Sequence, residues 1–145
     1  MPKLQSNPAD EINSLLSGIP YAMYLGIEAD LKGDELTTIL QFRERNIGNP
    51  LLPALHGGVV AGFLETTAMM QLALQMRSDY LPKPVDITID YMRSGKPIDA
   101  YARASITRLG RRVASVHAEA WQDSRDRPIA AIHGNFLIRP KEESA

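Results

Sequence analysis

Gly58-Val-Val-Ala-Gly-Phe-Leu-Glu-Thr-Thr-Ala-Met-Met-Gln-Leu-Ala-Leu-Gln-Met-Arg-Ser78 is the stretch whose reading decides the fold. Val59, Val60, Ala61, Phe63, Leu64, Ala68, Met69, Met70, Leu72, Ala73, Leu74 and Met76 leave no polar side broad enough to face water. A helix apolar nearly all round is expected to be buried. About 20 residues of helix run ~30 Å, enough for the central element of a small domain. One acid, Glu65, stands inside it, and only Arg77, Ser78 and Asp79 restore a polar end.

Upstream, residues 46–53 read Asn-Ile-Gly-Asn-Pro-Leu-Leu-Pro, which predicts an irregular loop leading into Ala54-Leu55-His56-Gly57-Gly58. Before it, Glu35 to Arg43 places Leu36, Thr38, Leu40 and Phe42 on one side of a strand. Gly33-Asp34 reads as a hairpin turn, and Tyr24 to Leu31 as the strand before it. Ile12, Leu15 and Leu16 form a helical stripe with Asp10 as the expected N-cap, and Gly18 and Pro20 as the stop. Residues 1–9 read as a flexible lead-in.

Downstream the period changes to two. Val85, Ile87, Ile89 and Tyr91 alternate with Asp86, Thr88 and Asp90. Two strands around the Gly110 turn carry alanine rows, at Ala100, Ala102 and Ala104 and again at Ala114, Ala118 and Ala120. Pro128 to Ile138 is the last strand. Such small side chains permit close approach of another element, most simply the long helix. The segregation of helix from hairpin-linked strands predicts an α+β domain with a largely antiparallel sheet. Long strand edges give such a domain a reason to pair with its own copy.

Length and composition bound the function. At 145 residues the chain is one ordinary domain. Its 16 basic and 17 acidic residues give a net charge of −1, which supplies no broad footprint for nucleic acid. Without cysteine there is no disulfide, no thiolate nucleophile and no thiolate metal ligand. No signal-type run opens the sequence, and no uninterrupted apolar run has the length of a membrane span, so a cytoplasmic protein without membrane partners is the expectation.

Around residues 49–65 the sequence resembles the PaaI-like acyl-CoA thioesterases of the hotdog-fold superfamily. The resemblance is carried by Asn49-Pro50-Leu51-Leu52-Pro53-Ala54-Leu55-His56-Gly57-Gly58, with Glu65 seven residues later. It extends to Asp86-Ile87-Thr88-Ile89-Asp90-Tyr91-Met92-Arg93-Ser94, to Ala100 through Arg112, and to Ala130 through Phe136. It covers about residues 20–139. Where the family's strand-end motif has Pro after its Arg, this chain has Ser94. The resemblance implies a hotdog fold, with a long central helix wrapped by a curved antiparallel sheet. It sets a hotdog thioesterase domain at 20–140, after a lead-in with a short helix at 1–19 and before a flexible tail at 141–145. It implies dimers with composite sites at the interface, and dimers of dimers. The implied reaction is hydrolysis of an acyl-CoA thioester, with CoA as part of the substrate and no cofactor or metal retained.

In that pattern Glu65 takes the place of the catalytic acid, as general base or direct nucleophile. The alternative is a structural acid hydrogen-bonded at a subunit interface. Gly57 and Gly58 bring bare backbone to the start of the helix, where an N–H can hold a developing oxyanion; Gly58 is the preferred donor. Otherwise they form only a tight loop-to-helix turn. His56 is expected to belong to the site and help position substrate, fixing the loop through its ring rather than acting as a base. Asn49 stands near a loop residue that some relatives use to position substrate or water, although the loop spacing departs by about one residue. Thr66 could bond substrate or water, or bond back to its own helix. Met69 and Gln71 are candidates to approach a partner's site. Arg108, Arg111 and Arg112, with Arg93, are suited to the phosphates of CoA; the plain reading is a solvated hairpin tip. His117 and His133 read as packed or surface residues. A hotdog hydratase or dehydratase and a non-catalytic acyl-CoA-binding or assembly protein are the competing functions.

Overall fold

The computed structural model describes residues 7–78 and 80–139. Residues 1–6 of the expected lead-in, Asp79, Pro140 and the expected tail at 141–145 lie outside the described residues. The first helix, α1 (Pro8–Ser17), starts three residues earlier than its apolar stripe suggests. Its N-cap is Asn7, not Asp10: the Asn7 side chain accepts a 3.0 Å bond from the Ala9 N–H. Asp10 then falls in the first turn, where the helix dipole favours a carboxylate.

Pro20 does not simply end a helix; it begins another. α2 (Pro20–Leu25) occupies the start of the expected first strand. Proline at the first helical position gives up no hydrogen bond, which explains the reversal. Gly26, at φ 85°, closes α2 in the left-handed conformation that a side chain would strain. β1 (Ile27–Lys32) therefore starts late, and turns at Gly33-Asp34 into β2 (Glu35–Leu40), as expected.

The loop expected at 46–53 is partly regular. A 3-10 turn at Glu44–Asn46 is followed by β3 (Ile47–Asn49), which pairs with β4 (Ala54–Leu55). The turn between them keeps both prolines outside the ladder. Then come α3 (Gly57–Met76), β5 (Lys83–Tyr91), β6 (Ala100–Leu109), β7 (Val113–Trp121) and β8 (Ala130–Leu137).

Six strands form one antiparallel sheet in the order β1-β2-β6-β7-β8-β5. α3 packs against β2, β5, β6, β7 and β8. This is the hotdog arrangement. The alanine rows meet in register: Ala102 pairs with Ala120, and Ala120 with Ala130. All three are fully buried, as are Ala100, Ala114 and Ala118. Phe63, Leu64, Met70 and Leu72 fill the space over them. By length and composition α3 could cross a membrane, but 56% of that stretch is buried inside the fold, so the sheet supplies its apolar surroundings.

Two polar features fix the helix in place. Thr67 Oγ1 donates to the Phe63 carbonyl at 2.8 Å, and Thr38 Oγ1 on β2 lies 2.7 Å from Thr67 Oγ1. With its own proton committed, Thr67 accepts from Thr38. Asn46 is only 1% exposed. Its Nδ2 donates to the Leu25 carbonyl at 2.8 Å, and its own carbonyl accepts from the His56 N–H at 2.8 Å. One residue thus ties the end of α2 to the start of α3. Asn46→Ala strips a buried carbonyl of its donor and should cost about 1–3 kcal/mol. Urea unfolding should show a lower midpoint at an unchanged slope.

Candidate active site

α3 begins where the β3–β4 hairpin delivers it. Gly48 lies so close to His56 that a Cβ there would sit 2.7 Å from the His56 Cα. His56 is the N-cap of α3, and its Nδ1 accepts a 2.9 Å bond from the Gly58 N–H. The bond ties the ring to the first turn of α3. The His56 carbonyl accepts from the Val59 and Val60 N–H groups, at 3.0 and 3.2 Å. Gly57 is left as the first-turn residue whose N–H has no partner among the described residues.

This corrects the expectation that Gly58 supplies the oxyanion donor. Its amide is already engaged by the His56 ring, and the open amide is that of Gly57. Gly57 also borders a cavity of about 350 Å³ lined by Leu55, Val60, Tyr91, Arg93 and Ser94, among others.

Glu65 lies eight residues further along α3, half-buried, on a stripe with Ala61, Gly62 and Met69. Its carboxylate makes no hydrogen bond or ion pair among the described residues. Burial pushes the carboxyl above its ordinary 4.5, because water is removed and no donor replaces it. A half-buried acid with no structural partner is the kind of group a ligand site uses. Tyr21 of α2 lies over the same stripe: a Cβ on Gly62 would meet its Cε1 at 3.0 Å.

Gly57 and Glu65 do not meet within one chain. Eight residues of helix place them about 12 Å apart along the axis. A carboxylate leaning back toward the N-terminus closes only part of that gap. One helix therefore does not bring both groups to one carbonyl. His56 and Glu65, nine apart, are no closer, so the His–acid dyad of a hydratase is not assembled within one chain.

Other expected residues are placed elsewhere. Thr66 bonds back to the Gly62 carbonyl at 2.8 Å and is 6% exposed, so its proton is committed to the helix. The Asn49 Oδ1 accepts from the Leu51 N–H at 3.0 Å and shapes the β3–β4 turn. The four arginines do not form one group. Arg93 lies at the α3 N-terminal end of the sheet, with its Nη1 on the Pro128 carbonyl at 2.9 Å. Arg108, Arg111 and Arg112 border a cavity of about 380 Å³ with Ser115 and Asn135, at the opposite end. A strand of eight residues spans roughly 26 Å between those ends. His117 and His133 pair across β7 and β8 at 3.1 Å on the face away from α3, with Glu119 Oε1 at 2.9 Å from His117. Among the described residues, no group of three or more His, Asp or Glu side chains is arranged to hold a metal ion.

Comparison with known proteins places this geometry. The family model of the thioesterase superfamily matches residues 52–129, which takes in the Gly57 turn, all of α3 and Tyr91. The chain belongs to the thioesterase superfamily. Among solved structures, a Chromobacterium violaceum protein is 36% identical, with a TM-score of 0.73, covering 92% of this chain and 93% of that one. A Pseudomonas aeruginosa protein is 26% identical, with a TM-score of 0.80, covering 91% and 99%. Thioesterase superfamily member 2 of Mus musculus shares the fold at 18% identity, with a TM-score of 0.75, covering 92% and 98%. No curated protein sequence matches significantly. Membership supports thioester hydrolysis as the general chemistry.

Two site residues escaped the sequence reading. Tyr91 counted as an apolar strand position, yet its hydroxyl donates to the Gly57 carbonyl at 2.9 Å. A tyrosine at a strand end, next to a break, is a signal for a polar partner. Tyr21 was signalled by Gly62, since a glycine inside a helix usually has a packing reason.

The raised Glu65 carboxyl has a consequence for stability. The folded chain holds that proton more tightly than the unfolded chain does. Stability is therefore lost as pH rises from the unfolded value through the folded one, and stays lost at neutral pH. Glu65→Gln should melt above the parent at neutral pH, and the difference should vanish below 4.5. Melting curves across that range check this; a constant difference would contradict the desolvation.

Proposed function

We propose that the chain hydrolyses acyl-CoA thioesters in a site shared between two copies. The observation that carries this reading is the half-buried carboxylate of Glu65, which has no partner among the described residues. The open Gly57 amide, about 12 Å away along the same helix, supports sharing: Gly57 of one copy would work with Glu65 of the partner subunit. The thioester oxygen accepts from the Gly57 N–H. Glu65 takes a proton from water as the water attacks the carbonyl carbon, or attacks that carbon itself to form a mixed anhydride, which a water then hydrolyses to the free acid and the Glu65 carboxylate. Electrons move to the oxygen held by Gly57 and return as the C–S bond breaks, releasing CoA as thiolate.

β5 supports the pairing. It is a nine-residue edge strand, with one side of its backbone unpaired and Val85 and Tyr91 exposed at 57% each. Antiparallel pairing of β5 with its copy would set the start of one β5 beside the end of the other. The arginine tip of one subunit would then flank the helix start of its partner. This joins the two separated basic groups around one CoA, and assigns the phosphates to Arg93 with Arg108, Arg111 and Arg112 of the partner subunit.

Purified protein should release thiol from at least one of a set of short, medium and aryl acyl-CoAs. Glu65→Gln should lower kcat by about 100-fold or more. No release across the set, or an unaffected variant, would contradict the reading. Light scattering should return a mass of at least twice 16.0 kDa; a monomer would remove the shared site.

A further inference from the structure

Gly57 is the residue of this site with the most freedom to lose, because glycine samples backbone conformations closed to other residues. Both of its peptide groups are nevertheless held. The His56–Gly57 peptide is fixed through its carbonyl, which accepts from Val59 and Val60. Its N–H is the open donor. The Gly57–Gly58 peptide is held at both ends: its N–H by His56 Nδ1 at 2.9 Å, its carbonyl by the Tyr91 hydroxyl at 2.9 Å. The Tyr91 ring also lies against Gly57, and a Cβ there would meet three ring atoms at 3.4 Å. Tyr91 reaches this point from the end of β5, 34 residues away in sequence.

We infer that Tyr91 is a positioning residue, which aims the open Gly57 N–H by locking the peptide that follows it. Its hydroxyl bonds the Gly57 carbonyl, and among the described residues it makes no hydrogen bond to Glu65. Its effect passes through Gly57: a donor already in place needs no reorganisation as charge develops on the thioester oxygen. The inference rests on the thioesterase reading above and adds to it the group that makes the donor rigid. It also couples β5, the strand proposed to pair with a second copy, to the start of α3.

Tyr91→Phe tests this, since it keeps the ring against Gly57 and removes only the hydroxyl. With an acyl-CoA that the parent hydrolyses, kcat should fall about tenfold while KM stays within about twofold. That is less than the 100-fold or more expected when an oxyanion donor is itself removed. Two non-hydrolysable ligands separate positioning from a structural role. A trifluoromethyl ketone analogue of the acyl-CoA, which forms a tetrahedral adduct, should bind about tenfold more weakly to Tyr91→Phe. A thioether analogue, which has no carbonyl to polarise, should bind as it does to the parent. A kcat within twofold of the parent, or an equal loss of affinity for both analogues, overturns the inference alone. A parent that releases no thiol overturns the thioesterase reading, and this inference with it.

Discussion

The inner face of the sheet is surfaced with alanine, and the rest of the structure depends on the close approach this allows. Ala100, Ala102, Ala114, Ala118, Ala120 and Ala130 are all fully buried. These methyl groups let the helix lie close over β6, β7 and β8, while Phe63, Leu64 and Met70, with Val116, Ile132 and Phe136 of the sheet, fill what remains. Interiors pack at crystal-like density, so larger residues in those rows would force strain or move the helix away. The helix in turn must be apolar on nearly every side.

That requirement gives Glu65 its significance. In a helix selected for burial, an acid is tolerated only where one side stays partly open. The stripe of Ala61, Gly62, Glu65 and Met69 is that side. The carboxylate is dry enough to hold its proton more tightly, yet it has no partner among the described residues to satisfy it. The same helix leaves one amide open at its start. These groups are complementary in chemistry but separated along the axis. Both facts fit the proposed site completed by a second copy, with the β5 edge as its proposed contact.

Much of this was legible in the sequence, because periodicity reports burial directly. The apolar run of α3, the two-residue period of β5 to β8 and the turn at Gly33-Asp34 all read correctly. The errors came where one local signal allowed two outcomes. Pro20 can stop a helix or start one, and only the packing of α2 against α3 decides. Asn7 and Asp10 are both good caps. Glu65 stood out as an acid in an apolar run. The donor did not: choosing between Gly57 and Gly58 depends on where the His56 ring turns, which spacing does not encode. That Arg93 lies at one end of the sheet and Arg108, Arg111 and Arg112 at the other was not legible, because composition has no record of which end a residue occupies.

The desolvated Glu65 carboxylate is proposed to act on the thioester in its ionised form. The pH dependence of kcat for acyl-CoA hydrolysis tests it most directly. Activity should fall toward acid, with a midpoint above the ordinary 4.5 of a glutamate, and this limb should be lost in Glu65→Gln. A midpoint at or below 4.5, or the same limb persisting in the variant, would contradict it.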